Sequence, residues 1–269
     1  MEHSAGTALT DDRPPQPDRR RNRWLLVASI VMLVVAGGAV AAAFAFIRPP
    51  ATQSLRPSGI PASITDSQVN LMGLSPVQAS PAPDFTLTDQ NGRTLSLAEL
   101  RGKVVVLEFM DPHCTDICPI VSVEYIDAYR DLGPLAAKVV FAAVNVNQYH
   151  AAVADMLAYS REHQLITIPS WHFLTGPVAD LRTVWGDYNV QVEAPNPHAD
   201  IVHSSVVYFI DTAGRERFIA SPMADHTANG TSYLPSGQIT EWGQGIAQLP
   251  GPSRQVRPSA LRKAPATVA

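Results

Sequence analysis

The residues with the clearest chemical potential lie in Asp111-Pro112-His113-Cys114-Thr115-Asp116-Ile117-Cys118-Pro119, which holds the only two cysteines of the 269-residue chain. The two thiols stand four positions apart, directly after the apolar run Val104-Val105-Val106-Leu107-Glu108-Phe109-Met110 and directly before Pro119. The run reads as a buried strand. Proline suits the first turn of a helix, where its missing N–H has no partner to lose. Strand, turn and helix start therefore put both thiols at a helix N-terminus, where backbone N–H groups and the helix dipole favour thiolate. Thiolates attack disulfides and bind soft Cu(I). A structural disulfide is the poorer account of the pair, because so short a loop closes little chain entropy. Two cysteines also exclude a disulfide scaffold and a four-cysteine zinc site.

A turn of this kind needs a sheet behind it, and the apolar pattern supplies one. Residues 85–88 and 94–97 alternate about Asp89-Gln90-Asn91-Gly92 and read as a hairpin. Residues 97–101 read as a short helical turn and 103–110 as a central strand. Residues 119–132 carry Ile120, Val123, Ile126, Ala128 and Leu132 at near-helical spacing and stop at Gly133-Pro134. A second buried strand follows at 139–146, a helix at 149–163, a short strand at 171–174 and a helix from Gly176-Pro177 to 188. Residues 206–211 and 215–220 form a hairpin across Thr212-Ala213-Gly214, and 236–249 read as helix. This order gives an α/β domain, a mixed sheet flanked by helices on both faces. A redox cysteine pair directly after a strand in that setting indicates a thioredoxin-like fold.

Composition narrows the partners. Apolar residues make up 46% of the chain and charged residues 16%, with 23 prolines that are denser at the two ends than in the middle. The net charge of −4 is uneven, since residues 81–250 hold 9 Lys and Arg against 19 Asp and Glu, a balance of −10. So acidic a domain lacks the clustered cations that nucleic acid requires. Residues 1–23, with Arg19-Arg20-Arg21-Asn22-Arg23, read as a disordered cytoplasmic tail. Residues 24–47 carry no charge. As a helix rising about 1.5 Å per residue they are long enough to cross a hydrocarbon core of roughly 30 Å. The run exceeds the ~7–15 apolar residues of a cleaved signal peptide, so a retained single-pass anchor in the cell membrane is expected. The preceding arginines orient it, N-terminus in the cytoplasm and domain on the extracytoplasmic side. Residues 48–80 read as a Pro-rich tether, 81–250 as the folded domain and 251–269 as a disordered tail.

In these residues the chain resembles the Sco/SenC/PrrC family, membrane-tethered thioredoxin-like domains that bind copper and serve assembly of the binuclear copper centre of cytochrome c oxidase. The family's motif of two cysteines three residues apart and a proline corresponds to Cys114-Thr115-Asp116-Ile117-Cys118-Pro119. Its histidine before a late strand corresponds to His203-Ser204-Ser205-Val206-Val207-Tyr208-Phe209-Ile210-Asp211. Trp171-His172-Phe173-Leu174-Thr175-Gly176 and Val184-Trp185-Gly186-Asp187-Tyr188 resemble its intermediate blocks, and the resemblance covers residues 81–220. It implies a metal site of Cys114, Cys118 and His203 and a redox role for the Cys114/Cys118 pair. It also implies copper as the metal, a copper-accepting client in cytochrome c oxidase subunit II, and a thiol reductant for the pair. Two thiolates and one imidazole make a small soft site suited to three-coordinate Cu(I), and the harder histidine admits Cu(II). Three ligands with an open position also describe catalytic zinc, so donor count alone leaves the metal open. The chain departs from the family at Asn145-Val146-Asn147-Gln148, where many members carry Asp-Pro, and at residues 222–250.

The implied function is a membrane-anchored copper metallochaperone. The alternative is an extracytoplasmic thiol-disulfide oxidoreductase that keeps client cysteines reduced. Both use Cys114 and Cys118, and His203 divides them. Three residues between the cysteines rather than two, and His203-Ser204 where redox thioredoxins place a proline, favour the metal. A thiol peroxidase needs an arginine beside its cysteine, and the nearest preceding one, Arg101, lies across the strand. His113 is expected either to tune Cys114 or to face solvent. His172, His198 and His226 are expected as ordinary surface or core histidines, Asp116 as a helix N-cap rather than an exposed acid favouring cation entry, and Asp111 and Glu124 as solvated or lining the mouth of the site.

Overall fold

A computed structural model describes residues 56–249. Along them run α1 (Asp66–Leu71), β1 (Ser75–Pro76), β2 (Thr86–Thr88), β3 (Thr94–Ser96), β4 (Val104–Met110), α2 (Ile117–Leu132) and β5 (Val139–Asn145). There follow α3 (Val153–Glu162), β6 (Trp171–Leu174), α4 (Val178–Asp187), β7 (Val192–Glu193), β8 (Val202–His203) and β9 (Val207–Ile210). The last elements are β10 (Glu216–Ala220), β11 (Asp225–His226), β12 (Ser232–Tyr233) and α5 (Ser236–Gln248).

Six strands form one sheet in the order β1-β10-β9-β4-β5-β6. β4, β5 and β6 run parallel, while β9 is antiparallel to β4 and β10 to β9. The sheet is mixed, as expected. β5 is buried along its whole length and β4 at every position but its first, which is why both read as unbroken apolar runs rather than alternating ones. Side chains still alternate between faces. Val106, Met110, Phe141, Ala143, Phe173 and Phe209 meet α1, α2, α3 and α5 through Met72, Val121, Tyr125, Met156, Trp242 and Ile246. Val105, Leu107, Phe109, Val140, Ala142 and Val144 meet the β2–β3 hairpin and α4 through Leu87, Leu95, Leu181, Val184 and Trp185. Each large apolar side chain so covered contributes about 1.5–3 kcal/mol.

The hairpin is docked by one residue of its own turn. Gln90 Nε2 donates to the Trp171 carbonyl (3.0 Å) and its Oε1 accepts from the Phe173 N–H (2.8 Å). Gly92 takes a left-handed φ of 78° in the same turn, a conformation glycine adopts without strain.

Two expectations about the elements change. Residues 56–80, assigned to a tether, fold onto the domain: Ile64 and Met72 are fully buried, Leu74 nearly so, and β1 extends the sheet edge. Helix α1 starts at a capping box in which Thr65 and Gln68 satisfy one another's backbone N–H groups. The helix expected at 149–163 begins only at Val153, because His150 and Ala151 close a turn instead. The helix expected at 236–249 is present as α5 and packs against α2, within the stretch after residue 222 that departs from the family pattern. At Gly243 a Cβ would stand 2.9 Å from Asp127 Cβ and 3.0 Å from the Ala128 nitrogen, so the close approach of the two helices needs a residue without a side chain. The expected span at 24–47 and the tails at 1–23 and 251–269 lie outside the described residues. Among the described residues no helix is long and apolar enough to cross a membrane.

Candidate metal and redox site

Because β4 and β5 are parallel, the loops that follow them leave the sheet at one end, with Met110 beside Asn145. Two polar side chains tie these loops together. Asp111 Oδ1 accepts the backbone N–H of His113 (2.8 Å) and the side-chain amide of Asn147 (2.9 Å). Asn147 Oδ1 accepts the N–H groups of Tyr149 (3.0 Å) and His150 (3.2 Å). Asn145 completes the clasp, its Oδ1 taking the Asn147 N–H (2.7 Å) and its Nδ2 donating to the His150 carbonyl (3.0 Å). Asp111 is therefore buried, not solvated. The Asn145-Val146-Asn147 stretch, noted as a departure from the family, is what holds the cysteine loop to its neighbour.

Helix α2 starts at Ile117, two residues earlier than Pro119 suggested, so Cys118 lies inside the first turn and is buried at 1% exposure while Cys114 is partly exposed. Both are free thiols. The neighbouring Cys118 thiol does most to lower the Cys114 thiol to about 7; the N–H groups of Cys118 and Asp116 add to it, against burial and the Asp111 charge. The Cys114 neighbour, followed by burial, pushes the Cys118 thiol well up. The pair thus concentrates one thiolate on the outer sulfur at a helix N-terminus.

Beneath the pair lies a buried acid group that the sequence concealed. Glu108, on the same face of β4 as Val106 and Met110, is raised to about 8 by burial. Glu124 on α2 is fully buried and raised well above the carboxylate range, by burial first and the Glu108 charge second. Glu108 Oε2, both Glu124 oxygens and the Tyr125 hydroxyl have no hydrogen-bond partner among the described residues. Unpaired carboxylates are costly to bury charged, so Glu108 keeps its proton to about 8 and Glu124 is shifted the same way. Glu124 is not solvated.

His203 sits on β8, which pairs with β7, and Ser204 fastens this ladder through Gln191 in both directions (3.0 and 3.1 Å). Its Nδ1–H donates to the Ser204 carbonyl (3.1 Å), leaving Nε2 as the free lone pair. Burial lowers its pKa, so the ring is neutral. In the antiparallel β4–β9 ladder Val207 pairs with Glu108, so β9 begins near the end of the sheet at which β4 stops, four residues after His203. The Asp111 carboxylate acts on both His203 and Cys114. The fold thus carries the histidine to the cysteine end of the sheet. It does not bring the three donors together: among the described residues the group of three or more His, Cys, Asp or Glu ligand atoms lying within 4.8 Å of one another is His113, His150 and Asp155.

The other candidates fall as follows. His113 is exposed and stacks on His150, ring centroids 3.7 Å apart. His172 Nδ1 lies 3.2 Å from buried Asp89 Oδ2, and His198 is exposed. Asp116 stands at the N-cap of α2 but makes no capping hydrogen bond; its exposed carboxylate lies 3.8 Å from His226 Nε2. His150 and Asp155 were missed, although a histidine just past a strand parallel to the cysteine strand must emerge at the same sheet end.

The SCO1/SenC family model matches residues 75–229. The SCO1 protein homolog of Bacillus subtilis is 23% identical over 49% of this chain and 68% of its own length. The mitochondrial SCO2 homolog of Bos taurus is 29% identical over 49% of this chain and 50% of its own. The chain therefore matches between half and about two thirds of these relatives. A chloroplastic peroxiredoxin Q of Sedum lineare is 34% identical over 29% of this chain. Among solved structures, a SCO1/SenC family lipoprotein from Bacillus anthracis covers 65% of this chain and 97% of that one with a TM-score of 0.52 at 20% identity, a likeness of fold. Bradyrhizobium japonicum ScoI with copper bound covers 63% of this chain and 99% of that one, with a TM-score of 0.49 and 24% identity.

Proposed function

The chain belongs to the SCO1/SenC family, and from that premise we propose that it is a membrane-anchored copper metallochaperone. Copper is held by Cys114, Cys118 and His203 and passed to a copper-accepting client, cytochrome c oxidase subunit II, after a thiol reductant has opened the cysteine pair. Residues 24–47 anchor the protein with the domain on the extracytoplasmic side.

The observation that carries this reading is the thiol pair at the start of α2, with its lowered outer sulfur, at the same sheet end as a neutral histidine whose Nε2 is free. Two sulfurs and one imidazole suit Cu(I), and the nitrogen is the ligand that admits Cu(II). Copper uptake then draws the His203 ring, on its short ladder, towards the two sulfurs. Copper titration of the full-length protein and its variants tests the reading. Cys114→Ala and Cys118→Ala should each abolish tight Cu(I) binding. His203→Ala should keep some Cu(I) through the sulfurs and lose most Cu(II) affinity.

The second reading, a thiol-disulfide oxidoreductase, is favoured by one feature: Cys114 near 7 beside two buried acids that hold their protons more tightly than usual suits proton transfer during exchange. Wild-type binding of both copper states by His203→Ala, with disulfide exchange intact, would decide for it.

A further inference from the structure

The clasp that positions the cysteine loop also assembles a second set of donors containing no sulfur. His113 and His150 belong to the loops after β4 and β5, and Asp155 to the first turn of α3. Their ligand atoms lie within 4.8 Å of one another. Nothing in the packing of the core requires the arrangement, since His113 is exposed and the other two are half exposed.

Three features make the group a binding site rather than a chance meeting of side chains. The main chains under both histidines are fixed by one hydrogen-bonded unit: Asp111 Oδ1 takes the His113 N–H, while Asn147, bonded to that same oxygen, takes the His150 N–H. The rings stack with planes 28° apart, and a ligand nitrogen of each lies within 4.8 Å of the other's and of an Asp155 oxygen. Among the described residues neither imidazole is paired with a carboxylate at salt-bridge distance, and Asp155 is paired with no cation. Two imidazole nitrogens and a carboxylate oxygen are borderline donors, the class that binds divalent first-row ions and binds Cu(II) most tightly among them. Metal–nitrogen and metal–oxygen bonds of about 2.0–2.2 Å require the three atoms to close in slightly, which rotation of exposed His113 allows.

We propose that His113, His150 and Asp155 form a second metal site, specific for a borderline divalent cation such as Cu(II) and separate from the thiol pair. It shares no ligand with the Cys114, Cys118 and His203 set, so it stands or falls independently of that set. His113 adjoins Cys114 in the chain, which puts the two sites side by side at the sheet end.

The test uses the full-length protein carrying Cys114→Ser, Cys118→Ser and His203→Ala, which removes the sulfur site. His3→Ala is included as well, to remove a histidine outside the proposed site. This protein should bind one equivalent of Cu(II) with an electron paramagnetic resonance spectrum of nitrogen and oxygen ligands. Adding His150→Ala should weaken binding at least tenfold and remove one nitrogen from the hyperfine pattern. Asp155→Asn, which leaves both loops untouched, should weaken it several-fold with both nitrogens kept. No Cu(II) bound to the parent variant, or binding unchanged by both added substitutions, would overturn the proposal.

Discussion

Glu108 sits six residues before Cys114 on a strand where every neighbour is apolar, and its neutrality has a consequence for stability. Unfolded, the carboxyl loses its proton near 4.5; folded, it keeps it to about 8. Between those values the folded state binds more protons, so this group's contribution is complete below pH 4.5 and is lost as pH rises towards 8. Urea unfolding should show wild-type stability falling across that window with a slope of at most about 1.4 kcal/mol per pH unit from this residue. Glu108→Gln, which stays neutral in both states, should flatten the slope; an unchanged slope would place a charged carboxylate there. Glu124 shifts in the same direction, so a weaker decline should remain. None of this was legible from residue type. A lone acid in an apolar run looks like a solvated edge position, and only the two-sided cover of β4 shows otherwise.

At the scale of elements, the stretch around the cysteines was legible because long apolar runs and Pro119 leave few alternatives for 104–132. The central strands, the hairpins and the flanking helices follow the expected boundaries within a few residues. Short elements carry too few residues for periodicity, and they were the ones missed. Helix α1 has only six residues, and its one signal is the Thr65–Gln68 capping pair. The docking of α5 was also invisible, since it depends on a glycine meeting another helix rather than on any pattern within α5. Gly243→Ala tests that docking. Placing a methyl against the Ala128 nitrogen and Asp127 Cβ should cost about 1–3 kcal/mol, read as a lower urea midpoint with unchanged slope. A neutral or stabilising result would mean that α5 lies farther from α2.

For the whole molecule, the sheet's parallel half decides where function can lie. Loops from β4 and β5 emerge together, and antiparallel β9 begins at that same end, just after His203. The resemblance named this trio, and the fold supplies the physical reason its members share an edge despite 85 residues of separation between Cys118 and His203. What the sequence could not reveal was the partnership of His113 with His150, which needs strand neighbours rather than chain neighbours. The charge-free run at 24–47 carries the proposal that the protein is anchored in a membrane. A reporter active only outside the cytoplasm, fused after Ala269, should be active if that run anchors the chain with its arginines inside; activity of a cytoplasm-only reporter there would contradict it. X-ray absorption of the full-length protein loaded with one equivalent of Cu(I) tests the copper reading most directly. Two sulfur ligands and one nitrogen, with the nitrogen lost in His203→Ala, is the result expected from Cys114, Cys118 and His203. A spectrum without two sulfurs, or a nitrogen that survives His203→Ala, would contradict it.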